Sequence, residues 1–573
     1  MWVKYKTLIK TAGSFGKNNK RLTFTSVFAS IGCLLIFITN AATFSIGTEP
    51  ENGSLGGVNQ LSDSSASNGM AIQFGATSAT WPNPNDYKVC GNTSILNGPT
   101  SAQTGWVTVN PGTNLATLTS SSSAGTTFYL TAGTHTLPSG PIKPKTGNTY
   151  IGAPGAILDG QYTLNDGGTR SAAFTGGEPI NNGNPNVTIK YLTITRFGAE
   201  NGLLDAMVNS TAINRDQAND WTIMNNTISY NGGSGVVVSN GTKLQNNCIE
   251  YNEQMGTATS TSSGNYTQRS NVLIENNEIR NNNRTGSIEG HGCTGCAGGL
   301  KIWNSKDVTI RNNNVHDNKG NGIWIDNNNI DVLIDHNVSK DNTKRGIMYE
   351  ISYSAIIRNN YVTGNYVVGK GGVNNASIYI SESGGDEATK SYLGGTFAAE
   401  IDVYGNYVGD NWHGITLWES AARYCFTYTQ AGPSNHNDTK WCPPILQGKN
   451  DTDLSTGRAR CVNDFAGNAD ICRWMTKNVK VHNNKFEMTS TAASWCTVTN
   501  TGCANMAITA STDAPVGTPY AGTVVRDNIT KNQNNKFYNN EYVGTWNFYI
   551  PNTIVSRSVW QNTWGQDDGS IFN

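Results

Sequence analysis

A short motif, made of paired polar residues, one variable residue and an aliphatic residue or phenylalanine, recurs along most of this 573-residue chain. Its copies end at Ile228, Ile249, Ile279, Val315, Val338, Val362, Val408, Phe486 and Phe537. A second family of strand-like pentapeptides alternates with it, at 235–239, 299–303, 322–326, 346–350, 377–381 and 414–418. Where no insertion intervenes, both families recur after 23 and then 24 residues. A fixed period of this length, made of short strands, predicts a solenoid in which each repeat completes one turn.

The period also decides between two repeat architectures. A β-propeller blade needs about 40 to 45 residues, nearly twice this period, whereas a coil of about three short strands fits it. Asparagine tolerates the left-handed conformation of tight turns, so we predict a turn ladder, rather than ligand contacts, for Asn231, Asn252, Asn282, Asn318, Asn365 and Asn411. Crossovers between parallel strands are right-handed. The sequence therefore predicts an all-β fold, a right-handed parallel β-helix, with side loops at 254–270, 283–297, 384–398 and 420–475.

The N-terminus has the layout of an export signal. Residues 1–26 carry six basic side chains and no acidic one, an apolar run follows over 27–38, and small residues surround Ala41. The apolar run is short for a membrane span, which needs about 20 residues. We therefore predict a signal peptide over 1–42, with a retained anchor as the alternative and membrane association only in that case. A flexible tether rich in Ser, Gly and Asn is expected over 43–84 and the β-helix domain over 85–573, in a secreted or cell-envelope protein.

The cysteines support an exported chain. Ten remain beyond the predicted signal, and eight of them are sequence neighbours: Cys293 with Cys296, Cys425 with Cys442, Cys461 with Cys472, and Cys496 with Cys503. An even number in an exported chain predicts disulfides that close short local loops. The alternative is zinc, because Cys293 and Cys296 have the spacing of zinc ligands. No second pair stands at a matching distance, so we favour disulfides.

Stacking of the second strand family brings distant residues together. Period-two alternation turns the second and fourth residues of each pentapeptide inward and the third and fifth outward. The outward column of third residues is Val237, Lys301, Trp324, Met348, Tyr379 and Thr416. The outward column of fifth residues is Ser239, Trp303, Asp326, Glu350, Ser381 and Trp418. We predict that Trp303, Trp324, Tyr379 and Trp418 form a substrate-binding platform, since aromatic faces suit sugar rings and exposed aromatics suit a long ligand. The alternative is that these rings lie beneath the insertions at 254–297 and 420–475.

The same columns supply candidate catalytic residues. Asp326 and Glu350 should be stacked about 4.8 Å apart, and two such acids repel unless they share a proton or bind a cation. We predict that both acids and Lys301 are catalytic, with calcium on the two acids as the candidate metal site; a structural calcium or a salt link to Lys301 is the alternative. His316 is a further catalytic candidate, and the alternative is that it makes a structural hydrogen bond at its turn. Glu382 and Glu419 are expected to line the same cleft, and the alternative is that they belong to structural turns.

A family resemblance adds to these predictions. GTTFYLTAGTHT and IGAPGAILDG resemble the opening coils of pectate-lyase-like β-helix proteins. GGLKIWNSKDVTIRNNNVHDNKGNGIWID, YEISYSAIIRNN, YISESGGD and NWHGITLWE resemble the secreted bacterial right-handed β-helix repeat proteins, and the likeness covers about 85–573. The resemblance implies the β-helix fold. For activity it implies only the range of the superfamily, which includes pectate lyases, polygalacturonases, alginate epimerases, tailspikes and adhesins.

Two functional classes follow from the sequence. The formal net charge is −1, from 40 basic and 41 acidic residues, which leaves no basic excess for a nucleic-acid partner. We favour a polysaccharide lyase, with Lys301 as base, or a glycoside hydrolase, in which acids about 5 Å apart would retain configuration. The alternative is a non-catalytic glycan-binding envelope or adhesion protein. In either case a monomer is expected.

Overall fold

The computed structural model describes two units of the chain, 1–80 and 81–573. The residues described are 59–62, 70–73 and 81–573, apart from 162, 164–171, 176–183, 199–218, 260–269, 287–296, 304, 327–328, 368–370, 386–394, 421–460, 463–470, 473–475, 490–491, 493–495, 497–501, 512–523 and 551–552. In the first unit, Asn59–Ser62 pairs antiparallel with Met70–Gln73. The predicted signal over 1–42 lies outside the described residues.

Three sheets, numbered here 1 to 3, make up the second unit. The strands of sheet 1 are Val107–Val109, Thr127–Leu130, Thr149–Gly152, Thr188–Lys190, Thr222–Met224, Lys243–Gln245, Leu273–Glu275, Lys306–Arg311, Ile330–Asp335, Ala355–Arg358, Ile401–Tyr404, Val479–His482 and Lys536–Tyr538. Those of sheet 2 are Gly133–Thr136, Ala156–Asp159, Thr193–Thr195, Thr227–Ser229, Cys248–Glu250, Glu278–Arg280, Asn314–His316, Val338–Lys340, Tyr361–Thr363, Tyr407–Gly409, Lys485–Glu487, Glu541–Val543 and Ile571–Phe572. Those of sheet 3 are Val236–Val238, Met255–Thr259, Gly298–Trp303, Asn321–Asp326, Ile347–Glu350, Ile378–Ser381, Ile415–Ser420, Asn505–Ser511, Asn547–Tyr549 and Ile554–Val555.

From Thr222–Met224 onward the chain visits the three sheets in turn, whereas the described strands of the earlier coils belong to sheets 1 and 2. Strands of successive coils pair in parallel within each sheet. Only the pairing of Asn547–Tyr549 with Ile554–Val555 is antiparallel among the described strands of these sheets. The helices described are Thr93–Leu96, Leu115–Ser121, Val524–Lys531 and Arg557–Asn562, and a separate antiparallel pair joins Cys461–Val462 to Ile471–Cys472. This is the right-handed parallel β-helix that the repeat predicts.

From Thr222–Met224 onward, each turn between sheets 1 and 2 is built from one left-handed residue and one buried asparagine. Between Lys243–Gln245 and Cys248–Glu250, for example, Asn246 has φ 55° and the next residue, Asn247, is fully buried. Asparagine adopts the left-handed region at low cost, so the turn needs only two residues. The recurring NN pair of the sequence motif encodes this turn.

Buried asparagines from successive coils form two ladders. In each ladder, a side-chain carbonyl accepts hydrogen bonds from the backbone N–H and the Nδ2 of the asparagine one coil earlier. The ladder between sheets 1 and 2 contains Asn226, Asn247, Asn277, Asn313, Asn337, Asn360, Asn406, Asn484 and Asn540. The second, after sheet 2, contains the six predicted asparagines together with Asn342, which the sequence analysis omitted. The predicted turn ladder is confirmed.

One predicted side loop is wrong in part. Met255–Thr259, within the predicted loop 254–270, is a strand of sheet 3 that pairs with Val236–Val238 and Gly298–Trp303. The sequence pattern does not mark this strand because MGTAT lacks alternating large aliphatic residues. A Cβ at Gly256 would approach Ile279 Cγ2 to 2.5 Å, so this position requires glycine, as do the equivalent positions Gly235 and Gly299 of the neighbouring coils. Ala258 therefore stands between Val237 and Lys301 in the outward column.

The N-terminal boundary of the folded unit also differs from the prediction. The unit begins at Trp81, so 81–84 belong to it and not to the tether. The Trp81 Nε1 donates to the Gly405 carbonyl at 2.6 Å, and its ring lies 5.3 Å from that of Tyr407.

Two disulfides are described, a local one between Cys496 and Cys503 and a long-range one between Cys90 and Cys248. Among the residues that the structure describes, none of the helices has the length and hydropathy that a transmembrane span requires.

Candidate functional site

The strand register of sheet 3 stacks the predicted site residues as the repeat implies. In the third-residue column, Lys301 lies beside Trp324, followed by Met348, Tyr379 and Thr416. In the fifth-residue column, Trp303 lies beside Asp326, followed by Glu350, Ser381 and Trp418. Residues that are two dozen positions apart in the chain are therefore neighbours on one outward face.

Four of these side chains form a close group, called here the Lys301 cluster: Lys301, Trp303, Trp324 and Asp326. The Lys301 Nζ lies 2.9 Å from Asp326 Oδ2, and 4.1 Å and 3.2 Å from the ring centroids of Trp303 and Trp324. The Trp303 Nε1 donates to the same Asp326 oxygen at 2.7 Å. An ammonium held between two indole faces and a carboxylate combines an ion pair with cation–π attraction. The salt link that the sequence analysis left open is therefore present.

Burial sets the acidity of the Lys301 ammonium. Its side chain is 3% exposed, and burial lowers the pKa of Lys301, while the charges of Asp326 and Glu350 oppose that change. The pKa is lowered because removal of water from the charged form outweighs the attraction of the two acids. Lys301 is thus easier to deprotonate than a lysine in solvent.

The described residues do not fit the predicted calcium site. Calcium takes six to eight oxygen ligands, whereas Asp326 Oδ2 already binds the Lys301 ammonium and the Trp303 N–H. A divalent cation on this carboxylate would stand beside another positive charge. Within the described ranges, one group of three side chains has the spacing that a metal ion needs: Cys90, Cys248 and Glu250. Its two cysteines are joined in a disulfide. The Cys293 and Cys296 pair lies outside the described residues.

The prediction of an exposed aromatic platform is wrong for two of its four rings. Trp324 is 6% exposed and Tyr379 5%, and they pack with Met348, Met255, Ala258 and Ala376 in a small apolar cluster beside Trp418. Trp303 and Trp418 are half-buried. Strand alternation determines which face of the sheet a residue occupies, but it does not determine what covers that face.

Part of the cover comes from residues that the sequence analysis did not identify. The Arg345 guanidinium lies 4.5 Å from the Tyr379 ring centroid and donates to the Asn374 carbonyl through Nε and Nη2. The Thr416 hydroxyl donates to the Val373 carbonyl at 2.6 Å. These bonds hold the segment 371–376 over the outward column. Arg345 stands directly before a repeat pentapeptide, where no sequence pattern marked it.

Glu382 and Glu419 do not line an open cleft. Both are fully buried. Glu382 has φ 44° and accepts a hydrogen bond from the Ser381 hydroxyl. The Glu419 carboxylate accepts the Thr476 backbone N–H at 2.8 Å and the Gln533 Nε2 at 2.6 Å. These contacts support the structural role that was the alternative for both residues.

His316 lies on sheet 2, away from the columns of sheet 3. Its Nδ1 is 2.6 Å from Asp317 Oδ2 and its Nε2 is 3.2 Å from Glu278 Oε1. Burial lowers the pKa of His316, but the hydrogen bonds and charges of Asp317 and Glu278 together outweigh burial, so the pKa is raised. The fold therefore does not bring His316 into the Lys301 cluster, and its contacts are those of a structural ion pair.

His413, next to the cover segment, leads to a pH prediction. Its Nε2 donates to the Gly371 carbonyl at 3.0 Å, which leaves Nδ1 to accept from Asn505 Nδ2 at 3.2 Å. Burial lowers the pKa of His413 to about 4. As the pH falls below 6.5, the His413 imidazole binds a proton in the unfolded chain but stays neutral in the folded chain, so the folded state loses stability. We expect this residue to account for about 2 kcal/mol of the stability lost between pH 7 and pH 5.

The measurement is urea unfolding of the wild type and of His413→Gln at these two pH values. Glutamine keeps an amide donor for Gly371 and does not titrate. The variant should lose less stability than the wild type on acidification, whatever its stability at pH 7. Equal losses in both proteins would contradict the assignment of the neutral imidazole.

One comparison with known proteins supports the fold. A family model described as "Right handed beta helix region" matches residues 211–391. Solved structures that are similar include a mannuronan C-5 epimerase A-module from Azotobacter vinelandii (12% identity, 80% of this chain and 93% of that chain, TM-score 0.39) and a PL6 family polysaccharide lyase from Pseudopedobacter saltans (13%, 82% and 91%, 0.34). A polygalacturonase from Erwinia carotovora is also similar (12%, 69% and 96%, 0.27). No curated protein sequence matches the chain.

The chain is thus a right-handed parallel β-helix protein. This is the fold that the sequence motifs predict.

Proposed function

We propose that this protein is a secreted polysaccharide-active enzyme, a lyase or a glycoside hydrolase, whose site lies on the outward face of sheet 3 at the Lys301 cluster. The observation that carries the proposal is the Lys301 ammonium held between Trp303, Trp324 and Asp326. The inward residues of sheet 3 already fill the core of the β-helix, so the fold does not require charged groups on the other face. Burying an ion pair is costly, which supports a chemical role.

The cluster offers two kinds of chemistry. In a lyase, the lowered pKa of Lys301 favours its action as the base that removes a proton from a sugar carbon, while Trp303 supports the ring. In a hydrolase, Asp326 and Glu350 would be the pair of acids, since their strands are adjacent in register. Strands about 4.8 Å apart place their carboxyl groups in the range of retaining enzymes. The engagement of Asp326 by Lys301 favours the lyase.

The disulfides support secretion as part of this proposal. Cys90–Cys248 and Cys496–Cys503 are both described, and such bonds form and persist in oxidising compartments. The basic and apolar segments of 1–42 are typical of export. A processed N-terminus on the protein recovered outside the cell would test this part.

The activity test is a panel of uronic and neutral polysaccharides, with ultraviolet absorbance reporting unsaturated products and a reducing-end assay reporting all cleavage. Lys301→Met should lower product formation at least 100-fold, because a general base contributes on the order of 10² to 10⁴ in rate. Lys306→Met is the matched control, because Lys306 lies on sheet 1 and pairs with Asp307 at 3.9 Å. Product formation that is unchanged in Lys301→Met and in Asp326→Asn would contradict the site.

A second candidate is a glycan-binding protein without catalysis. The half-buried rings of Trp303 and Trp418 favour it, because they lie on the same face and offer apolar surface to sugars. If no polymer yields product, but one binds and Trp303→Ala weakens that binding, the binding protein is the better description. Loss of product in Lys301→Met with binding retained would favour the enzyme.

A further inference from the structure

The first residues of the folded unit form a strap, defined here as 81–99, that runs along the outside of the β-helix. At one end, Trp81 contacts Gly405 and Tyr407. At the other end, Asn225 Nδ2 donates to the Ile95 carbonyl at 2.8 Å. These contacts span seven neighbouring strands of sheet 2, from Thr227–Ser229 to Tyr407–Gly409. With strands about 4.8 Å apart, the strap crosses about 29 Å of the solenoid, against the order in which the coils follow one another.

The middle of the strap is attached by a carboxylate and a disulfide. Glu278 Oε2 accepts the backbone N–H groups of Val89 and Cys90, both at 2.7 Å. The next strand of sheet 2 carries Cys248, which is bonded to Cys90. The Asn314 side chain adds a longer bond, 3.3 Å, to the Asp86 carbonyl. The strongest attachments are therefore concentrated within two residues.

Beyond these points the strap makes two further side-chain hydrogen bonds, from the Tyr87 hydroxyl to Asn312 Oδ1 at 3.4 Å and from the Tyr129 hydroxyl to the Pro99 carbonyl at 2.9 Å, and it buries few residues. Of residues 81–99, Pro82 and Val89 are the two that are buried. The main apolar core of the β-helix contains residues from Val109 onward and none from the strap. Within the described residues, the strap also contributes no strand to sheets 1 to 3. The core and the ladders are complete without it.

The strap must also have an open state during folding. Trp81 and Gly405 are 324 residues apart in the chain. The strap is the first part of the β-helix unit to be synthesised, yet it cannot close until the coil that contains Gly405 has formed. Its final position is reached only when the solenoid beneath it exists.

We propose that the strap is a clasp locked by the Cys90–Cys248 disulfide, and that reduction of this bond releases it while the β-helix stays folded. A dithiol is the reductant: one of its thiolates attacks Cys90 Sγ and releases the Cys248 thiolate, and its second thiolate then attacks the dithiol sulfur of the mixed disulfide and releases the Cys90 thiolate. After protonation, two cysteine thiols and one oxidised dithiol result. Cys90 is half-buried whereas Cys248 is 1% exposed, so attack is directed to the strap side. Release removes both N–H donors from Glu278 and uncovers that part of sheet 2.

Trypsin cleavage after Lys88 reports the open state. Lys88 is exposed, but the next residue, Val89, is buried and its N–H is bonded to Glu278. A protease needs a locally unfolded segment of several residues. Cleavage at this bond should therefore be slow in the oxidised protein and at least tenfold faster in dithiothreitol, with the β-sheet circular dichroism unchanged.

Serine variants identify the disulfide that is responsible, since dithiothreitol reduces every accessible one. Cys90→Ser with Cys248→Ser should be cut after Lys88 at the reduced rate without any reductant. Cys496→Ser with Cys503→Ser is the matched control and should keep the slow rate. An unchanged rate in the Cys90 and Cys248 variant would overturn the clasp. Loss of the β-sheet signal together with fast cleavage would also overturn it, because the bond would then support the whole solenoid.

Discussion

Asn337→Ala should lower the free energy of unfolding by about 4 kcal/mol, because it leaves one buried donor without a partner, which costs about 1 to 3 kcal/mol, and removes further buried hydrogen bonds worth about 1 kcal/mol each. The Asn337 side-chain carbonyl accepts both the backbone N–H and the Nδ2 of Asn313, each at 3.0 Å. Its own Nδ2 donates to the Ile310 carbonyl at 2.9 Å. Alanine removes the acceptor of the buried Asn313 N–H in the middle of the ladder, where water cannot replace it, while Asn313 Nδ2 keeps the Ile274 and Arg311 carbonyls as acceptors. Urea unfolding of the two proteins measures the effect.

An exposed asparagine provides the control for this substitution. Asn562 is exposed and its Nδ2 donates to the Ser558 hydroxyl at 3.1 Å. Asn562→Ala removes the same atoms from a place where water replaces the hydrogen bond, so a change within about 0.5 kcal/mol is expected. If Asn337→Ala changed stability as little as Asn562→Ala, the ladder would not be the stabilising element that its geometry indicates.

Asp567→Asn should destabilise the C-terminal end of the β-helix by about 3 kcal/mol, through loss of buried hydrogen bonds to a charged group. Asp567 is fully buried, and its Oδ1 accepts from Asn540 Nδ2 at 3.0 Å, in the place of the next asparagine of the ladder. Its Oδ2 accepts from the Tyr542 hydroxyl at 2.8 Å and from Trp560 Nε1 at 2.7 Å. An asparagine must turn its NH₂ group toward either Asn540 Nδ2 or Trp560 Nε1, which are both donors.

This substitution isolates the charge and the acceptor, because asparagine matches aspartate in size and tolerates the φ of 54° at this position. Asp568→Asn is the control, since Asp568 is adjacent and exposed. Hydrogen exchange of Glu541–Val543 and Ile571–Phe572 should rise in Asp567→Asn and stay unchanged in Asp568→Asn. Equal exchange in both variants would show that Asp567 does not close the ladder.

Two features of the sequence predicted most of the fold. The NN pair marks a turn that two residues complete, and the pentapeptides mark strands with one buried face. Both are local properties, because a left-handed asparagine and an alternating strand depend on a few neighbouring residues. For this reason the register of Lys301, Trp303 and Asp326 followed from counting residues alone. Where the local signal was weak, as in Met255–Thr259, the prediction was wrong.

The candidate site was predicted in part for the same reason. The ion pair of Lys301 with Asp326 needed only the register, and the sequence analysis included it as an alternative to calcium. Arg345 was missed because its role depends on Asn374 and Tyr379, which its own pentapeptide does not contain. His316 was grouped with the site although its strand belongs to another sheet.

By itself, the sequence determined the coil, its period and the order of side chains along each outward column. These follow from short-range conformational preferences that repeat every two dozen residues. Only the tertiary structure decided which of those side chains reach solvent: Trp324 and Tyr379 are covered, and the strap is fastened across coils that are formed hundreds of residues later. Burial on the outward face depends on contacts between segments far apart in the chain, which local preferences do not encode.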